Sequence, residues 1–204
     1  MPDPTRRSEA SRRAIVDAAL DLVGELGYAK LSIEGIAARA GVGKQTIYRW
    51  WPSKAAVLFE GVLALAEKQE GETMDLPDTG DLEADLKLVF RTTVEEVNQP
   101  RYDAAMRALA TAIPNDPALA ADYAERLDGP LERVKRDRLR KAQDAGELSA
   151  DLDLDIAVEM LWGPLRTRWL QRSGPLTPAF ADALVETALN GLRPRPDAAA
   201  GTSR

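Results

Sequence analysis

Apolar residues recur along this chain at intervals of three and four, the spacing of helices with one buried face. Ile15, Ala19, Leu22, Val23 and Leu26 mark a first helix over about residues 8–26, closed by Gly27. Ser32 offers an N-cap oxygen to a second helix, whose buried face is Ile33, Ile36, Ala37 and Ala40. Gly41 supplies the left-handed exit, Val42 plugs the elbow, and a third helix starts at Gly43 with Ile47 turned inward. A fourth, over about 52–70, carries Val57, Leu58, Gly61, Val62, Leu65 and Ala66 and ends in a linker over 71–80. Further helices are predicted over about 81–98, 102–112, 118–145, 155–172 and 177–192. A kink or break at Gly129-Pro130 and a kink at Pro164 are expected, because proline has no N–H to donate. The basic run 133–141 reads as a solvated helix face, and Asp151, Asp153 and Asp155 as an acidic helix start rather than a metal loop.

The stretch Leu31–Lys54 organises the rest. Two short helices share a buried back, and the second presents Lys44, Gln45, Thr46, Tyr48 and Arg49 to solvent. A helix of this width enters the major groove of DNA, where its first turn meets base edges. Lys44 and Gln45 suit guanine and adenine, and Arg49 suits phosphate. Lys54 stands in the first turn of the fourth helix, where the macrodipole disfavours a cation, so an anion such as a phosphate is expected beside it. Trp50 and Trp51 are expected to wedge the third helix against its neighbours.

The segment IAARAGVGKQTIYRWWPSKAAVL resembles the DNA-binding signature of TetR-family transcriptional regulators. The resemblance is strong over about residues 10–65 and beyond that rests on chain length, helical character and a late GPL segment. It departs at Gly43, where a small hydroxyl residue is common, and at Trp51, where Phe is common. It implies a phosphate contact for Tyr48, and the candidate DNA-binding set is Ser32, Gly43, Lys44, Gln45, Thr46, Tyr48, Arg49 and Lys54. It also implies a C-terminal helical domain that binds a small molecule and dimerises. Candidate pocket residues are Phe59, Met106, Trp162 and Arg166; candidate dimer-interface residues are Leu161, Leu165, Trp169, Leu184 and Ala188. The expected division is a three-helix helix-turn-helix domain over 1–54, with 1–8 a flexible arm, a helical body over 55–193, and a disordered tail over 194–204.

Composition narrows the chemistry. The chain contains neither Cys nor His, which removes disulfides, Cys/His zinc sites and His-based relays; no metal or cofactor is expected. No apolar run approaches the roughly 18 residues of a membrane span, so a cytoplasmic protein is expected. The net charge of −6 conceals an asymmetry, because residues 1–54 carry +3 and the remainder −9. A basic head on an acidic body points one end at phosphates. The expected protein is a homodimeric repressor that leaves a palindromic double-stranded operator on binding a small, mostly apolar effector. The competing classes are an enzyme built on carboxylates such as Glu95, Glu96 and Glu159, and a helical adaptor for another protein.

Overall fold

The computed structural model describes residues 4–70 and 75–193, with side chains described over 8–66 and 75–193. All regular structure among the described residues is helical: α1 Pro4–Leu26, α2 Ile33–Ala40, α3 Lys44–Tyr48, α4 Lys54–Glu70, α5 Leu82–Val97, α6 Pro100–Ala112, α7 Pro117–Tyr123, α8 Gly129–Asp144, α9 Leu154–Gln171 and α10 Pro178–Leu192. Short 3₁₀ and π turns, Ile113–Asn115 and Ala124–Asp128, flank α7. Among these residues no helix is long and apolar enough to cross a membrane.

The helices form two compact units. One combines the described part of residues 1–73 with 96–129, the other the described part of 74–95 with 130–204. In the first, α1 is the central post against which α2, α4 and α6 pack. Ile15, Ala19, Ile36, Ile47, Val57, Leu58 and Val62 are completely removed from solvent there. Each fully buried Val, Leu or Ile side chain contributes roughly 1.5–3 kcal/mol, so the head is held by its core rather than by α2 and α3, too short to persist alone. Gly61 permits the close approach of α4 to α1, since a Cβ at that position would stand 2.9 Å from the Leu20 side chain.

In the second unit, α5, α8, α9 and α10 share a core that includes Leu86, Phe90, Leu139, Leu161, Val185 and Leu189. Two charges are buried beside it, against the expectation that the run 133–141 is only a solvated face. Arg138 and Asp85 are each 3% exposed and meet at 2.8 Å. The Arg138 Nε donates to the Pro77 carbonyl at 2.8 Å, while Asp85 accepts from the Thr79 amide at 2.9 Å and its hydroxyl at 2.8 Å. The described end of the expected linker is thereby fastened to α5 and α8. Burial by itself raises the Asp85 carboxyl, but the Arg138 guanidinium and both Thr79 donors outweigh it and hold the group below its ordinary value.

The start of α1 and the Gly129-Pro130 junction call for comment. α1 begins at Pro4, so part of the expected arm is helical; residues 1–3 and the expected tail over 194–204 lie outside the described residues. At Gly129-Pro130, where a kink or break is expected, the helix is interrupted by the π turn, and the Gly129 amide donates to the Ala124 carbonyl five residues back. That wider turn accommodates a proline ring that would otherwise strike the carbonyl four residues earlier. α9 runs through Pro164, where the kink is expected, as one helix. Its start follows the acidic reading: the Asp153 carboxylate accepts from the Asp155 amide at 2.9 Å and the Ile156 amide at 3.3 Å.

Candidate nucleic-acid interface

The reading pair is built as its residues dictate. Ser32 adopts extended backbone and its Oγ accepts from the Gly35 amide at 3.1 Å, capping α2. Gly41 exits at φ +66°, and the Val42 amide returns to the Ala37 carbonyl at 3.0 Å. Gly43 precedes α3 in extended conformation without a side-chain cap. The α3 helix covers only five residues, and further amide bonds from Trp50 and Trp51 to the Ile47 carbonyl, 2.9 and 3.0 Å, prolong the turn.

Two anchors fix α3. Ile47 is fully buried, and Trp51 is 5% exposed with Trp50 against it edge to face at 5.5 Å. The wedge expected of the tryptophans is therefore supplied mainly by Trp51. Facing outward are Lys44, Gln45, Tyr48 and Arg49, with Tyr48 50% exposed. Thr46 is half-buried, so it belongs to the edge of this face. Arg49 lies over the Trp50 ring at 4.8 Å.

Ion pairs set the electrostatics. Arg39 grips Glu25 with two bonds of 2.9 and 2.8 Å, tying α2 to α1. Lys44 Nζ donates to Glu34 Oε1 at 3.0 Å, and both side chains remain exposed. This bond lowers the Glu34 carboxyl and raises the Lys44 ammonium from their ordinary values. Sequence reasoning gave Glu34 no role. Its place one residue into α2 and opposite the start of α3 was the available signal.

Lys54 has another set of partners than the anion expected from its helix position. Its ammonium donates to the Tyr28 and Leu31 carbonyls at 2.9 and 2.8 Å and lies 4.4 Å from the Tyr28 ring centre. Carbonyl dipoles from the α1–α2 connection thus explain a cation tolerated at the start of α4. Two of its three N–H donors are spent there.

The candidate pocket residues divide between the two units. Phe59 is buried with Tyr123 at 5.7 Å and Arg126 over its ring at 5.4 Å, and Met106 is half-buried in the same unit. In the other unit Trp162 packs on Phe90 at 5.1 Å, whereas Arg166 is exposed. None of the four lines the half-open cleft of about 730 Å³ in the first unit, whose walls carry Arg12, Arg13, Arg101, Asp17 and Glu60 around Val16 and Leu65.

The candidate dimer residues differ in burial. Leu161, Leu165 and Ala188 are buried inside the second unit's own core. Trp169 and Leu184 are half-buried. The apolar residues that α9 presents to solvent are Ile156, Met160 and Leu170, 56%, 46% and 48% exposed.

Comparison with known proteins agrees with this geometry. Residues 15–60 match the family model described as bacterial regulatory proteins, tetR family, and residues 76–188 match tetracyclin repressor-like, C-terminal domain. The HTH-type transcriptional regulator YdeS of Bacillus subtilis (strain 168) is 30% identical over 187 residues, 92% of each chain. The DNA-binding transcriptional repressor TetR of Mycobacteroides abscessus is 29% identical over 190 residues, covering 90% of this chain and 94% of its own. Among solved structures, the TetR family transcription regulator SCO0332 is 32% identical with a TM-score of 0.68, covering 90% of this chain and 99% of that one.

Proposed function

The chain belongs to the TetR family of DNA-binding transcriptional regulators, and on that premise we propose that it is a homodimeric repressor of a palindromic operator, released by a small molecule. It is a regulator rather than an enzyme. The observation that carries the reading is the outward face of α3, where Lys44, Gln45, Tyr48 and Arg49 project from a helix whose opposite side is locked by Ile47 and Trp51. In this reading Lys44 and Gln45 meet base edges, Tyr48, Arg49 and the hydroxyls of Ser32 and Thr46 meet phosphates, and the bare backbone at Gly43 lets the strand approach. Lys54 is assigned to phosphate through its remaining donor.

One such head makes few contacts, and a two-fold pair doubles them while reading an inverted repeat. The exposed stripe Ile156, Met160 and Leu170 on α9, with Leu184 on α10, supports a second copy as the partner. The Mycobacteroides relative, named a repressor, supports the sign of control. The effector is assigned to the body and is mostly apolar, the default character of such sites.

Lys54 gives the coupling a physical route. Because it fastens the first turn of α4 to the Tyr28 and Leu31 carbonyls, a displacement of α4 moves the head with it. An effector that favours the displaced arrangement by about 1–3 kcal/mol shifts operator affinity roughly 5- to 150-fold.

The test is fluorescence anisotropy of the purified protein on DNA from around its own gene, at several salt concentrations. Tight binding to one palindromic segment, weakening steeply with salt, is the expected result. A folded dimer without effector that binds no DNA at low salt refutes the proposal.

A further inference from the structure

Resting on that DNA-binding reading, we propose that Glu34 and Lys44 work as one unit that reads a single G·C base pair, the ammonium on guanine and the carboxylate on the cytosine amino group. The two residues start different helices, yet their tips meet at 3.0 Å on the outward side of the reading pair. Their side chains are 63% and 54% exposed, so the pair is presented rather than buried.

Helix stability accounts for only half of this arrangement. Glu34 in the first turn of α2 complements that helix's dipole, whereas Lys44 in the first turn of α3 opposes its own. Exposed ion pairs add little stability. A carboxylate on a surface that meets phosphates also weakens binding to every sequence alike. Glu34 therefore costs affinity wherever it lies near the backbone, and what it offers in return is discrimination.

The major-groove edge supplies the match. Guanine shows two acceptors, N7 and O6, and its partner cytosine shows the N4 amino donor beside them. An ammonium and a carboxylate in hydrogen-bonding contact present a donor next to an acceptor, the complementary order. At an A·T pair the carboxylate meets the T O4 acceptor and the ammonium the A N6 donor, and at a reversed C·G pair donor meets donor. Gln45 and Tyr48, exposed on the same helix, are left for neighbouring bases and the backbone.

The experiment uses the full chain and a bound segment found by footprinting on genomic DNA, with each base pair substituted in turn. Wild type, E34Q, K44M and the double variant are titrated by anisotropy at several salt concentrations, and thermal melts verify folding. Wild type should favour G·C at one position of each half-site by about tenfold, in line with a good two-point base contact. E34Q and K44M should each erase that preference and leave the other positions unchanged. The double variant should be no less discriminating there than either single one, because the two act together. E34Q should also bind non-specific DNA more tightly, with a salt slope steeper by up to about 0.9, one additional phosphate neutralised. If E34Q keeps the base preference, or weakens all sequences equally with a lower melting temperature, the pair is structural and the inference fails. A preference for A·T at that position overturns it as well. Wild type that binds without any sequence preference, or not at all, refutes the DNA reading on which the inference rests.

Discussion

Truncating Asp85 to alanine should cost about 3 kcal/mol, because breaking a buried ion pair leaves an uncompensated charge. The carboxylate is 3% exposed and accepts from three donors at 2.8–2.9 Å: the Arg138 guanidinium, the Thr79 amide and the Thr79 hydroxyl. The variant strands all three. The expected cost lies at the low end of the usual roughly 3–5 kcal/mol, since Arg138 keeps the Pro77 carbonyl at 2.8 Å and has Asp78 at 3.6 Å. For a chain of this size that corresponds to a fall in melting temperature of about 6–12 °C, measured by calorimetry or circular dichroism. The pH dependence gives a second check. The Asp85 carboxyl is held below its ordinary value in the fold, so the native state binds fewer protons than the unfolded chain. Its stabilisation is fully present above the ordinary carboxylate value and is lost as pH falls through the lowered native one. The gap between wild type and D85A should thus be constant near neutrality and close in acid. A double D85L/R138M variant, which removes both charges, should recover most of the loss. A cost under about 1 kcal/mol, or a gap that does not narrow in acid, would refute the reasoning.

Other outcomes follow from the head and from α9. Tyr48→Phe removes one exposed hydroxyl and should weaken operator binding about tenfold in anisotropy with an unchanged melting temperature. Lys54→Met forfeits the bonds to the Tyr28 and Leu31 carbonyls; it should lower stability by roughly 1–3 kcal/mol in urea denaturation and weaken DNA binding more than Tyr48→Phe does. Neighbouring residues on α9 should respond oppositely: Met160→Glu, 46% exposed, should leave the helical content intact and halve the mass seen by light scattering, whereas the fully buried Leu161→Ala should cost about 2–5 kcal/mol in the same denaturation assay.

Local signals were legible and remote ones were not. Ser32, Gly41 and Ile47 declare their roles within a few residues of chain, and the structure places each as its chemistry requires: a cap, a left-handed exit and an anchor. Arg138 looked like one of several solvated arginines because its partner is 53 residues away. Asp85 carried a hint, since it sits on the Leu82–Leu86–Phe90 side of α5, where an unpaired carboxylate would be costly. Lys54 stood out by its place at a helix start, which suggested an anion beside it, but periodicity cannot show that carbonyls 23 and 26 residues earlier accept from it. On α9, adjacent residues such as Met160 and Leu161 belong to two apolar stripes. A sequence identifies both without saying which one the chain buries in itself.

The ion pairs of the head have a consequence for what this regulator can sense. Each resolved shift there moves a group away from neutrality: Glu25 and Glu34 are lowered, while Lys44, Arg39 and Tyr28 are raised. With no imidazole and no thiol anywhere in the sequence, the reading surface keeps one charge pattern across the physiological pH range and offers oxidants no sulfhydryl. Acidity and thiol redox state are poor inputs to such a device. The effector proposed above is an input of another kind, a molecule that occupies space.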